Sequence, residues 1–153
     1  MSHHSHATLL GNATYATLCR GGSDDTGTNA CMDAPGGGDC FDDQLHLAWP
    51  DVTTVGCNDS CAPLCPRACG EVVQVTNACT SQSVWCMVLD CSPARTQEGC
   101  NHTPRCADPG GGPGTVPYPD SSYGIPLCQL TTGAFMSLNG RLADGRLPVQ
   151  VTC

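Results

Sequence analysis

Gln44-Leu45-His46-Leu47-Ala48-Trp49 alternates polar and apolar side chains with the two-residue period of a half-buried strand, and Pro50 ends the run. Two further segments, Glu71 to Thr76 (EVVQVT) and Ser83 to Leu89 (SVWCMVL), are rich in β-branched residues. The turn-like Asn77-Ala78-Cys79-Thr80-Ser81-Gln82 separates them, and the spacing predicts a hairpin. Asn12 to Leu18 carries Thr and Tyr in a strand-like setting, and Leu147 to Thr152 reads as a closing strand. One short helix is expected where Thr131 or Thr132 supplies an N-cap. Phe135 and Leu138 then share a face, and Asn139-Gly140 ends it.

Between these elements lie a Gly/Asp/Thr-rich loop from Arg20 to Asp39 and a long Pro- and Gly-rich loop from Ser92 to Tyr123, pinned by Cys100 and Cys106. The pattern divides the chain into a flexible, histidine-containing tail, residues 1–10, and a single domain, residues 11–153. No internal repeat stands out. The first residues have no apolar run behind them, so the sequence reads as a mature or engineered form without a targeting signal.

Cysteine usage changes this picture most. Fourteen cysteines in 153 residues mark a disulfide scaffold, and their even number allows every one to pair. Cys19, Cys31, Cys40, Cys57, Cys61, Cys65, Cys69, Cys79, Cys86, Cys91, Cys100, Cys106, Cys128 and Cys153 are therefore all expected in disulfides, with connectivity left open. Such pairing requires an oxidising compartment, which implies a secreted, extracellular protein. The ladder Cys57, Cys61, Cys65, Cys69 lacks the C-x2-C doublets of zinc sites, so disulfides rather than a metal are expected there. A Cu(II) chelate at Met1-Ser2-His3 is a weaker reading than a tag remnant or disordered tail. Three sequons, at Asn12, Asn58 and Asn101, add the expectation of N-glycans on surface loops.

Charge excludes some partners. A net charge of −8, with six arginines and no lysine, offers no basic stripe to a nucleic acid. No apolar run reaches the roughly 18 residues of a membrane span.

Several of these segments resemble one family. Ala68-Cys69-Gly70-Glu71-Val72-Val73-Gln74-Val75-Thr76-Asn77 resembles the ACGKCxRVTN segment of barwin-like proteins. Val84 to Pro93 resembles the V-x-V-x-V-x-D-x-C-P strand that those proteins share with the expansins. Leu130 to Phe135 and Gly145 to Val149 are similar to their DLSxxAF helix and G-x-I-x-V closing strand, and Gly11-Asn12-Ala13-Thr14-Tyr15 to their opening strand. The resemblance spans about residues 11 to 153. It implies a mostly β fold, a small closed six-stranded double-psi β-barrel with long disulfide-pinned loops and one or two short helices. Plant natriuretic-type peptides, kiwellins and family-45 endoglucanases share that barrel. Cys69 and Cys91 match bridge positions of the family, whereas Val72 stands where the family has the cysteine that bridges to the C-terminal one.

Glycoside hydrolysis needs two carboxyl groups flanking the scissile bond. The hydrolases with this barrel carry one aspartate on the opening strand and another in an H-F-D-L or L-D-L motif. Here the opening strand reads Thr14-Tyr15-Ala16-Thr17-Leu18, and Leu127-Cys128-Gln129-Leu130 puts an amide at the second position. An amide has no proton to donate in the working range, so no catalytic residue and no cofactor are assigned. His46 and His102 find no thiol partner if all cysteines pair, and no serine-nucleophile elbow exists. The leading expectation is a non-catalytic module binding cell-wall or matrix polysaccharide. Its candidate ligand-binding residues are Asp90, which the resemblance places in the groove, and the aromatics Tyr15, Trp49, Trp85 and Tyr123, beside Tyr118. The alternatives are a self-assembling structural subunit, a divergent family-45-like endoglucanase using Asp42, Asp43 or Asp120, and a defence protein that binds a partner enzyme.

Overall fold

The computed structural model describes residues 8–15, 29–57, 66–92 and 127–152. Six strands close on themselves there: β1 Thr8–Tyr15, β2 His46–Trp49, β3 Val72–Asn77, β4 Ser83–Cys91, β5 Cys128–Leu130 and β6 Arg146–Thr152. Their order around the barrel is β1-β5-β2-β4-β3-β6, with β6 returning to β1. The β1–β5 and β2–β4 pairs are parallel and the other four antiparallel. Closure leaves none of these six strands with an edge for another chain to extend. The mostly β, closed six-stranded architecture with one helix is the expected fold class.

The two-residue period decides which side chains fill the barrel. Leu9, Ala13, Leu47, Val73, Val75, Cys86, Val88, Leu130, Leu147, Val149 and Val151 lie in the core, each at most 3% exposed. Trp49 and Phe135, both fully buried, are its largest members. Burying a side chain of this size contributes about 1.5–3 kcal/mol. Sequence and structure differ at the start of β1, which begins at Thr8 rather than Gly11. Leu9 is a core residue in register with Val151, so residues 8–10 belong to the barrel and not to a tail. Strand β5 is too short, at three residues, for its periodicity to register in sequence.

Helix α1, Thr132–Ser137, starts where the Thr131 hydroxyl accepts the Ala134 N–H, and it buries Ala134 and Phe135. Tyr15 packs edge-on against Phe135, ring centroids 5.1 Å apart. At the far end, buried Asn77 accepts the N–H groups of Cys79 and Thr80 and donates to the Leu138 carbonyl. One side chain thus shapes the β3–β4 turn and ties it to α1.

Two disulfides staple loops to the barrel, Cys31–Cys69 and Cys57–Cys91. Cys69 and Cys91, expected in disulfides, are therefore both bonded. Cys40 and Cys79 are also disulfide-bonded. The expectation that all fourteen cysteines pair is corrected at Cys86 and Cys128, which keep thiols inside the core. Both project inward from barrel strands, where the geometry suits a small apolar side chain. Cys19, Cys61, Cys65, Cys100, Cys106 and Cys153 lie outside the described residues.

Candidate functional site

The alternation that fills the core sends the intervening side chains to the outside. On β3 these are Val72, Gln74 and Thr76, and on β4 Ser83, Trp85 and Met87. Register then builds rows across the strands. Thr152, Gln74 and Trp85 form one, from β6 through β3 to β4, and Gln150, Thr76 and Ser83 form the next. The Thr76 and Ser83 hydroxyls hydrogen-bond at 2.7 Å. A third row runs Val72, Met87 and His46, from β3 through β4 to β2.

Trp85 is 59% exposed and Val72 50%, and they are diagonal neighbours across the β3–β4 pair. Gln74 stands directly opposite the tryptophan. None of the nine side chains in these rows carries a formal charge, in a chain whose net charge is −8. An indole face in water, bordered by amides and hydroxyls, offers apolar contact and directional hydrogen bonds side by side.

His46 closes the third row. Its Nδ1 accepts the Phe41 N–H at 3.3 Å, so that nitrogen is unprotonated. Burial holds the imidazole below its ordinary value of 6.5, while hydrogen bonding with the Phe41 backbone and the carboxylates of Asp42 and Asp43 pull the other way. Phe41, 49% exposed, begins the turn from Phe41 to Leu45 that leads into β2. The Asp42 carbonyl in that turn accepts the Gly133 N–H at 2.8 Å and the Thr132 hydroxyl at 3.2 Å. A Cβ on Gly133 would lie 2.6 Å from the Asp43 carbonyl carbon, so the turn seats on α1 only because residue 133 is glycine.

Of the ligand-binding residues proposed from sequence, Trp85 alone presents its side chain openly to solvent among those described; the alternative acids Asp42 and Asp43 lie in the turn before β2, Asp42 half-buried and Asp43 exposed. Trp49 is fully buried and serves the core. Tyr15 donates to the Leu142 carbonyl at 2.9 Å and packs on Phe135, an anchoring role. Asp90 accepts the N–H groups of Ala30 and Cys91, at 2.9 and 2.8 Å, and so fixes the loop of Cys31 to the end of β4. Asn12 departs from the expected surface loop: it sits on β1 opposite Pro148, 2% exposed, and its buried amide has no room for a glycan in the folded barrel. Tyr118, Tyr123, Asp120, Asn58 and Asn101 lie outside the described residues. Gln129 is held in β5 between Thr14 and Ala48.

Sequence reading missed Val72, Gln74, Met87 and Phe41. Parity within Ser83 to Leu89 does not separate the two faces, because Trp85, Met87 and Leu89 are as apolar as Val84, Cys86 and Val88; the pairing with β3 does.

Among the described residues, no three His, Cys, Asp or Glu side chains cluster as metal ligands, and no helix is long and apolar enough to cross a membrane. No protein-family model matches the chain, and no curated protein sequence does. What is shown is a disulfide-stabilised, small closed six-stranded β-barrel consistent with the double-psi superfamily in general.

Proposed function

We propose that this chain is a secreted, non-catalytic module of the expansin/barwin-like kind that holds a neutral polysaccharide of a cell wall or matrix against the outer face of β3 and β4. The observation that carries the reading is Trp85, 59% exposed at the centre of an uncharged face. Its indole stacks on the C–H face of a pyranose ring, while Gln74 and Thr152 in the same row meet the ring hydroxyls. Leaving so large a side chain in water forgoes about 1.5–3 kcal/mol of burial, which a stacked sugar recovers.

The disulfides Cys31–Cys69 and Cys57–Cys91 support an oxidising, extracellular setting, and glycans at Asn58 and Asn101 belong to the same reading. The non-catalytic assignment rests on the amide of Gln129 at the position where the resembling hydrolases carry an acid.

The test is retention of the oxidised protein on insoluble cellulose, chitin, xylan and β-1,3-glucan, with released reducing sugar measured in the same tubes. Retention without release, lost in Trp85→Ala, is the expected result. Sustained release of sugar would replace the module by an enzyme.

A second reading draws on the same exposed Trp85 and Val72: two copies of the chain bury these faces against each other. Sedimentation at rising protein concentration separates it, because self-association depends on concentration and Trp85→Ala then yields a monomer.

A further inference from the structure

We infer that the site takes two or more consecutive sugars of an extended neutral chain, laid from Trp85 over Met87 and His46 to Phe41, rather than a single sugar. The inference rests on the polysaccharide reading above and adds the direction, the length and a second aromatic anchor.

Strand geometry gives the track. Trp85 and Met87 are two residues apart on β4 and share the outer face, about 7 Å from one another along the strand. Met87 and His46 are register partners on neighbouring strands, about 5 Å apart. The His46 imidazole lies on that same outer face, and its Nδ1 receives the Phe41 N–H, so the Phe41 backbone borders the face at its far end. From Trp85 to Phe41 the track is longer than one pyranose ring, at about 10 Å or more.

Both ends carry an exposed aromatic side chain, Trp85 at 59% and Phe41 at 49%, with half-buried Met87 and His46 between them. The far anchor is held in place. Gly133 and Thr132 at the start of α1 both donate to the Asp42 carbonyl, one residue from Phe41, and the Thr131 hydroxyl donates to the Gln44 carbonyl. A fixed second platform costs little entropy when it binds.

Charge selects the polymer. The track residues Trp85, Met87, His46 and Phe41 are uncharged, the histidine being held neutral, and the acids Asp42 and Asp43 border it in sequence. A uronate or sulfated chain meets like charge along this border, whereas a neutral chain does not.

The experiment measures binding of the monosaccharide and the hexamer of cellulose, chitin and β-1,3-glucan to the whole chain by calorimetry. Wild type, Phe41→Ala, Phe41→Tyr and Trp85→Ala are compared, with melting curves for each. At least one hexamer binds about tenfold or more tighter than its monosaccharide. Phe41→Ala removes about 3- to 10-fold of that gain, and Phe41→Tyr keeps it. Equal affinity for monosaccharide and hexamer overturns the track. So does a Phe41→Ala variant that melts like wild type and keeps the full gain, even while Trp85→Ala abolishes binding. If Trp85→Ala leaves hexamer binding intact, or no oligomer binds, the polysaccharide reading fails and the inference falls with it.

Discussion

Gln74 faces Trp85 directly across the β3–β4 pair, one amide beside one indole, with Thr152 on the other side of the glutamine. The pairing puts a hydrogen-bonding group at the edge of the stacking surface without placing a charge there. Gln74→Glu keeps the shape and adds the charge. Titration with a retained neutral polymer is expected to show weaker binding by about 0.5–1.5 kcal/mol, because the carboxylate loses the amide's N–H donor and must shed water. Unchanged affinity would remove Gln74 from the site.

Gly70 connects the Cys69 disulfide to β3. It has φ +87°, and a Cβ there would stand 2.2 Å from the Gly36 carbonyl oxygen. Its N–H donates to the Val88 carbonyl at 2.8 Å, so the turn cannot drift away from β4. Gly70→Ala is expected to cost about 2 kcal/mol or more in denaturant unfolding.

Much of this architecture is legible in the sequence because one face of each strand is buried. Alternation locates β2, and the β-branched runs locate β3 and β4, each within two residues. The Thr131 cap and the Phe135/Leu138 face locate α1. The site is less legible. Tyr15, Trp49 and Asp90 are residue types that bind sugars, yet their partners, Leu142, the core and Ala30, are distant in sequence and only the closed barrel brings them together. Asn12 fits a sequon but occupies a strand, where burial overrides the local motif. Phe41 acquires its place from a histidine whose outward direction depends on pairing with Met87.

His46 makes both stability and hexamer binding pH-dependent. Its folded value lies below 6.5 because of burial, so the unfolded chain takes up the proton first as pH falls. The contribution to stability is complete above pH 6.5, declines as pH drops below it, and levels off below the folded value. Protonation also turns Nδ1 from acceptor to donor, so the Phe41 N–H loses its acceptor. Denaturant melts between pH 7.5 and about 5 are expected to show this decline, and His46→Asn, whose side-chain oxygen accepts without titrating, to flatten it. A wild-type profile no steeper than that variant's contradicts the assignment.

Cys86 is fully buried, and burial pushes its thiol up to about 12 from 9.0. Alkylating reagent without reductant is expected to leave Cys86 and Cys128 unmodified in the native protein and to label both in denaturant, read by peptide mass mapping. Recovery of Cys86 in a disulfide-linked peptide would contradict the structure. Removing the Cys57–Cys91 staple, by Cys57→Ala with Cys91→Ala, is expected to cost about 2–4 kcal/mol by releasing its loop in the unfolded chain.

The most direct test of the central claim is co-sedimentation of wild type and Trp85→Ala with neutral insoluble glucans, alongside polygalacturonate as the acidic comparator. The account predicts that wild type is retained by a neutral polymer and not by the acidic one, and that Trp85→Ala passes into the supernatant with its melting curve unchanged. Retention of Trp85→Ala equal to wild type, or preference for the acidic polymer, would contradict it.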